Sequence, residues 1–234
     1  MNTDNNGLLY FDKTSKGKQI IFPNTQSKKK NNNKSNFYEL LNCKNYLIKC
    51  SPSLDTSKVF NMLKLFNKLQ ENITLTDLPI GYYQENEVLK GTIVPYYTSS
   101  ISLYQITKNY NLNKLNEYYL HDDDNIHNLY LLLYDILDIL EELQNNGISY
   151  LDSNPSNFIL KDNQVKLIDF EPQYLKYGIT KENIKTTLSR FDDLVFHTHL
   201  NFELDNLAIY NSKDFKTMRK HLIKLENKIR KKHL

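Results

Sequence analysis

The pattern of apolar and polar positions divides the chain near its middle. The first half carries short apolar runs separated by polar turns, which is typical of β-strands. These runs lie at 17–24, 36–41, 45–50, around 81–83 and at 89–97. Residues 1–16 are polar and irregular, so we expect a flexible leader there. The second half carries longer runs with helical spacing, which predicts a mainly helical portion.

Helical periodicity is clearest in two segments. Within 56–70, apolar residues recur every three or four positions, and Asp55, Thr56 or Ser57 can cap the first turn. Within 125–145 the apolar face is broad, and Gly147 fits the end of the helix. The acidic residues at 122–124 fit its beginning, because negative charge stabilises helix N-termini. The tail from about 180 to 234 is also predicted to be helical.

Between the long helix and the tail lies the segment that points to chemistry. Short apolar runs at 148–151, 158–160 and 165–170 alternate with polar turns. Asp152 opens the first turn, Asn157 follows five residues later, and Asp169 comes near the end of the last apolar run. Two carboxylates and an amide oxygen are hard-oxygen ligands and proton acceptors, suited to holding Mg²⁺ against phosphates.

Taken singly, each of these residues has an ordinary structural interpretation. Asp and Asn are common turn formers, and a strand often ends in a polar residue. The ordered set, together with its flanking residues PSN and VKLIDF, favours the chemical interpretation.

The segment resembles the protein-kinase superfamily. The catalytic loop of that family reads D-x-x-x-x-N and its metal-binding turn reads D-F-G. This chain has D-S-N-P-S-N at 152–157 and D-F-E at 169–171, directly after a long apolar helix. The resemblance implies that Asp152 orients or deprotonates the acceptor hydroxyl, and that Asn157 and Asp169 hold Mg²⁺ on the phosphates of ATP.

The N-terminal half is similar to the nucleotide-binding half of the same family. NYLIKC at 45–50 resembles the V-A-I-K strand, so Lys49 is implied to contact the ATP phosphates and Leu47 to cover the adenine. The segment from 92 resembles the family's hinge, which makes Val94, Pro95 and Tyr96 candidate adenine contacts. A lone lysine on a strand is usually only solvated, so this assignment depends on the resemblance.

Several family features are missing. The loop at 25–36 contains lysines and asparagines and no glycine, and we expect it to be mobile. The helix at 56–70 has no glutamate to face Lys49, and Glu71 comes only after it. Tyr150-Leu151 replaces the usual His-Arg. At positions 154 and 171, the residue types Asn and Glu resemble those of choline and aminoglycoside kinases more than those of protein kinases. A helical aspartate in 191–196 is a candidate support for the catalytic loop.

Net charge, cysteine content and the length of apolar runs limit the expected partners and location of the protein. The 234 residues include 30 basic and 27 acidic side chains, and a net charge of +3 implies no nucleic-acid partner. The sequence has two cysteines, no recognisable signal peptide and no apolar run long enough for a membrane span, so we expect a cytoplasmic protein.

The predicted fold is therefore α+β and bilobal, like that of protein kinases. We expect a β-rich N-lobe at 17–97 and a shortened, mainly helical C-lobe at 98–234 that ends in a basic helix. The predicted function is ATP- and Mg²⁺-dependent transfer of phosphate to a protein hydroxyl. Two alternatives stay open: a small-molecule kinase of the choline or aminoglycoside type, and a pseudokinase that acts as a binding module.

Overall fold

The computed structural model describes residues 2–5, 7–20, 35–41, 43–108, 112–202, 204 and 212–233. The chain is a mixed α+β protein, 45% helical and 24% strand, as the sequence predicted. It divides into two units. The first comprises Met1–Asn72, Asp77–Thr98 and Phe170–Pro172, and the second comprises Ile73–Thr76, Ser99–Asp169 and Gln173–Leu234.

The described part of the first unit contains a curled, half-barrel β-sheet, one α-helix and a 3₁₀ turn at Lys13–Ser15. Its strands are β1 (Asn2–Thr3), β2 (Leu9–Phe11), β3 (Lys16–Ile20), β4 (Asn36–Leu40), β5 (Tyr46–Cys50), β6 (Gly81–Glu85) and β7 (Val88–Pro95). The spatial order is β1-β2-β6-β7-β5-β4-β3. The β2–β6 pair is parallel and the other neighbouring pairs are antiparallel.

Alternation along the strands decides what each face of the sheet carries. One core cluster consists of five buried residues from five different strands: Phe11, Leu40, Ile48, Tyr83 and Ile93. Because successive strand residues point to opposite faces, the neighbours of Ile48, which are Leu47 and Lys49, point to the other face.

A glycine permits the close approach of β5 and β7. A Cβ atom on Gly91 would lie 2.4 Å from the main-chain oxygen of Lys49. Gly91 is the register partner of Cys50, the last residue of β5. A larger residue at position 91 would therefore push apart the two strands that carry Lys49 and Val94.

The beginning of the chain differs from the predicted flexible leader. Leu8 and Phe11 are buried, and Leu9 pairs with Gly81 in the parallel β2–β6 ladder. The Asp4 carboxylate also accepts a hydrogen bond from the Leu8 amide at 3.0 Å. A three-residue strand is too short to show a period, and its pairing partner lies about seventy residues away along the chain.

Helix α1 (Thr56–Leu69) confirms the helix predicted at 56–70. Of the three candidate caps, Asp55 serves: its carboxylate accepts a hydrogen bond from the Lys58 amide at 3.1 Å. Of the five apolar positions in the predicted period, Val59, Met62, Leu63 and Phe66 are buried and Leu69 is half-buried. The helix contains no acidic residue.

The described part of the second unit contains helices and short strands. In chain order these are β8 (Ile101–Ser102), α2 (Leu103–Thr107), α3 (Leu112–Asn116), α4 (Asn125–Asn145), β9 (Ile148–Tyr150), β10 (Phe158–Lys161), β11 (Gln164–Leu167), β12 (Leu175–Tyr177), α5 (Lys181–Asn201) and α6 (Phe215–His233). One sheet has the order β11-β10-β8, and β12 pairs with β9.

Helix α4 spans 125–145 as predicted, and it packs against β9, α5 and α6. The Asp124 carboxylate caps it, accepting hydrogen bonds from the amides of Ile126 and His127 at 2.9 and 3.0 Å. At the other end Gly147 adopts a φ of 80°, a left-handed conformation that favours glycine. The helical tail that the sequence predicted forms α5 and α6.

Two further expectations have limited structural counterparts. The predicted strand at 17–24 is observed as β3 up to Ile20, and the rest of that segment lies outside the described residues. The lysine-rich loop at 25–36 also lies outside them, apart from its last two residues. Within the described part of the chain, no helix has the length and apolarity needed to cross a membrane.

Candidate functional site

In the second unit, the β10–β11 hairpin leads directly to Asp169. Strands β10 and β11 pair in antiparallel fashion, from Phe158 opposite Leu167 to Lys161 opposite Gln164. The sequence predicted an apolar strand through 165–170, but β11 ends at Leu167. The chain then turns at Asp169, whose φ of 67° is left-handed. Few non-glycine residues adopt this conformation, and those that do are frequent at functional sites.

The loop that carries Asp152 is organised by its own polar groups. The amide of Asn154 donates a 2.7 Å hydrogen bond to the main-chain oxygen of Asp152. The Asn154 side chain accepts a 2.9 Å hydrogen bond from the Ser156 amide and so caps a 3₁₀ turn over Pro155–Asn157. This turn places Asn157 in a buried position directly before β10.

The side chain of Asn157 joins the two ends of the loop. Its Nδ2 atom lies 2.9 Å from Oδ2 of Asp152, 3.0 Å from the main-chain oxygen of Asp152 and 2.9 Å from the hydroxyl of Tyr150. The amide nitrogen is therefore directed toward Asp152. The opposite atom, Oδ1, lies 3.4 Å from Oγ of Ser156.

Tyr150 extends the same network to the turn at Asp169. Its buried hydroxyl lies 3.4 Å from the main-chain oxygen of Ile168 and 3.3 Å from that of Asp169. The Ile168 amide also donates a 2.8 Å hydrogen bond to the main-chain oxygen of Asn157. The structure thus brings Asp152, Asn157 and Asp169 together in one hydrogen-bonded network.

Tyr150 was not among the residues predicted to form the site. One sequence signal points to it, an aromatic residue at the position where the protein-kinase motif has His. Its role depends on the distance from its hydroxyl to Asn157 and to the 168–169 main chain, which sequence spacing does not supply.

A second unpredicted residue, Thr76, fixes the end of β11. Its Oγ1 atom donates to the main-chain oxygen of Leu167 at 2.9 Å and accepts from the Leu167 amide at 3.2 Å. Thr76 is buried and belongs to the second unit, although it comes early in the chain. Both main-chain polar groups of Leu167 are therefore satisfied two residues before Asp169.

In the first unit, Lys49 forms an ion pair with Glu171. The Nζ atom of Lys49 lies 2.6 Å from Oε1 of Glu171, and the two side chains are 7% and 27% exposed. Between Asp169 and Glu171, Phe170 is buried and packs edge-on against Phe66 of α1, with ring centroids 5.3 Å apart. The only glutamate predicted near the helix end, Glu71, is exposed.

The predicted adenine contacts lie in the same unit on neighbouring strands. Leu47 of β5 is the register partner of Val94 of β7, and both are buried. Tyr96 follows the end of β7, is half-buried, and its amide donates a 2.8 Å hydrogen bond to the main-chain oxygen of Asn45. Lys49 shares the sheet face of Leu47, because side chains two residues apart on a strand point the same way.

The donor set of the second unit is compatible with Mg²⁺. Among the described residues, no three His, Cys, Asp or Glu side chains form a cluster that could hold a metal alone. Mg²⁺ in phosphate-transfer sites usually takes one or two carboxylates and completes its coordination with waters and phosphate oxygens. Asp169 and Asn157 provide one carboxylate and one amide oxygen, which are donors of this kind.

Helix α5 carries the aspartate that the sequence suggested as a support for the loop. Asp192 is buried, and α5 packs against β9, the strand directly before the loop. Burial, reinforced by the charge of Asp193, raises the pKa of Asp192 to about 7. Within the described residues, no hydrogen bond joins Asp192 to the 152–157 loop.

Comparison with known proteins adds no assignment. The chain matches no protein-family model, and no curated protein matches it in sequence.

Proposed function

We propose that this protein is an ATP-dependent phosphotransferase, and that it acts as a minimal, atypical protein kinase of bilobal fold. The observation that supports this most directly is the network joining Asp152, Asn157 and Asp169 through the hydroxyl of Tyr150. A turn formed for structural reasons alone has no need for two carboxylates and a buried amide in this order.

In the proposed reaction, Asp152 is the general base. Its carboxylate accepts the proton of the acceptor hydroxyl while that oxygen forms a bond to the γ-phosphorus of ATP. The bond between the γ-phosphorus and the bridging oxygen breaks, and ADP leaves with that oxygen. The hydrogen bond from Nδ2 of Asn157 holds the Asp152 carboxylate in one orientation, which reduces the reorganisation needed before transfer.

The remaining predicted residues would bind ATP. Lys49 is proposed to contact the phosphates, and Leu47, Val94 and Tyr96 to contact the adenine. Asn157 and Asp169 would hold Mg²⁺, which when bound neutralises phosphate charge and favours in-line transfer.

A small-molecule acceptor is the second candidate. It is favoured by Glu171 after Phe170 and by Asn154 in the loop, since both resemble choline and aminoglycoside kinases. The protein substrate and the cytoplasmic location stay predictions.

Labelled ATP tests the proposed function. We expect purified protein with millimolar Mg²⁺ to transfer labelled phosphate to itself or to lysate proteins, and expect its melting temperature to rise with Mg²⁺ and ATP together. Saturation at about a hundred times the dissociation constant adds about 2–3 kcal/mol of stability. The same assay includes choline and aminoglycosides as acceptors, which distinguishes the second candidate.

Two variants separate the assigned roles. Asp152→Asn should abolish transfer and leave ATP binding nearly intact, whereas Asp169→Asn should weaken Mg²⁺-dependent binding itself. The matched control is Asp162→Asn in the exposed β10–β11 turn, where φ is 51° and asparagine fits equally well. Equal loss of binding in the first two variants would contradict the assignment. No transfer and no Mg²⁺-ATP stabilisation in the wild type would favour the pseudokinase.

A further inference from the structure

The ion pair between Lys49 and Glu171 compensates the charge of a buried lysine. A lysine ammonium that is 7% exposed has lost most of its hydration, which is unfavourable unless a negative charge compensates. Oε1 of Glu171 supplies that charge at 2.6 Å, a distance typical of a strong charge-assisted hydrogen bond.

Helix α1 has no residue that could take this role. Its residues include lysines and no Asp or Glu. The Asp55 carboxylate caps the helix and pairs with Lys58, and Glu71 is exposed beyond the last turn. Helix α1 therefore supplies no carboxylate to Lys49.

The main chain at Glu171 is restrained by its two neighbours, Phe170 and Pro172. Phe170 is buried against Phe66, which anchors the residue directly before Glu171. Pro172 follows directly, and proline restricts its own φ and the conformation of the residue before it. The main chain at Glu171 therefore has less freedom to lose when Glu171 pairs with Lys49.

We propose that Glu171 is the positioning residue for Lys49, in place of a glutamate from α1. Resting on the proposed function, this assigns to Glu171 the task of holding the Lys49 ammonium extended for the phosphates of ATP. The orientation of Lys49 then depends on the segment that follows Asp169. Helix α1 gives this pair no carboxylate and contributes to it through the packing of Phe66 against Phe170.

The test compares nucleotides with and without phosphates. In Glu171→Gln the ammonium loses the carboxylate that lies 2.6 Å from it, so we expect ATP with Mg²⁺ to bind about tenfold more weakly by calorimetry. Adenosine lacks phosphates, so its affinity should stay within twofold of wild type. Glu71→Gln is the control for removing an acid near α1 and should leave both affinities unchanged.

A double-mutant comparison shows whether Glu171 acts through Lys49. Lys49→Met alone should weaken ATP binding, and adding Glu171→Gln to it should cause little further loss, because the two residues act as one unit. Should Glu171→Gln fail to fold, Glu171→Asp keeps the charge on a shorter side chain. It should still weaken ATP binding and spare adenosine.

The outcomes separate this inference from the function on which it rests. Wild-type protein that binds no ATP would remove the proposed function and the inference together. Wild-type protein that binds ATP, with Glu171→Gln unchanged, would overturn the inference alone. Equal weakening of ATP and adenosine, or full additivity with Lys49→Met, would also overturn it, because Glu171 would then have only a general structural role.

Discussion

The hydroxyl of Tyr150 connects two segments that the proposed chemistry requires in one place. It accepts a hydrogen bond from Asn157 and lies 3.3–3.4 Å from the main-chain oxygens of 168 and 169. Without it, Asn157 would still bond to Asp152, but the loop would lose its side-chain link to the Asp169 turn. Tyr150 therefore helps to fix the relative positions of three predicted site residues. The proposed mechanism assigns it no role as a metal ligand or as a base.

Tyr150→Phe tests that role. We expect a loss of about 1 kcal/mol of stability, since one buried hydroxyl and its hydrogen bonds disappear, and a transfer rate at least several-fold lower. Tyr119→Phe is the matched control, because Tyr119 is equally buried and its hydroxyl donates to Asp135 at 2.7 Å, elsewhere in the same unit. It should cost similar stability and leave transfer unchanged. Equal rates in the two variants would contradict the assigned role.

The sequence indicated some of these residues and not others for a physical reason. Asp152, Asn157 and Asp169 are polar residues of ligand type next to apolar strands, and that pattern is local. In the sequence, Glu171 differs from the glycine of the D-F-G motif, and that is its only local signal. Its pairing with Lys49 joins residues 122 positions apart, and no local pattern fixes such a contact.

Helix α4 shows how far local rules determine an element. Its apolar period, its acidic start and its terminal glycine gave both boundaries, and all three features occur in the structure. Strand β2 shows the opposite case, since it depends on pairing with β6 and has no periodic signal of its own. Short strands are therefore the elements that sequence patterns predict least well.

The cap of α4 gives a prediction for the element itself. Asp124→Ala removes the acceptor of two main-chain hydrogen bonds and the 3.0 Å ion pair with Arg230. We expect the free energy of unfolding to fall by about 1–2 kcal/mol. Most of this loss comes from the cap, because the ion pair is partly exposed. Denaturant titration measures this.

Asp123→Ala is the control for that experiment. Asp123 is exposed and carries the same charge next to the same helix end. A general effect of negative charge at the N-terminus would appear in both variants. If the two variants lose equal stability, the Asp124 side chain does not act as the cap.

The stability of the whole chain should depend on pH through Asp192. Its pKa is raised to about 7 by burial and by Asp193, whereas an unfolded aspartate titrates near 4. The folded protein therefore holds a proton that the unfolded chain releases. The associated stability is fully present below about pH 4 and is lost as pH rises through about 7.

Asp192→Asn should remove this dependence. Between pH 5 and pH 8 we expect wild type to lose on the order of 2 kcal/mol more stability than the variant. Asp193→Asn removes only one of the two causes and should give an intermediate slope. The measurement is the melting temperature at several pH values. Parallel curves of melting temperature against pH for wild type and Asp192→Asn would contradict the raised pKa.

The tight packing at Gly91 has an evolutionary consequence. A side chain there would collide with the main chain of Lys49, so any descendant that keeps this sheet keeps the glycine, whether or not it transfers phosphate. The Lys49 and Glu171 side chains carry no such steric obligation. In a lineage without the proposed phosphate transfer, Lys49 and Glu171 could be replaced together, whereas Gly91 would be retained because the sheet itself requires it.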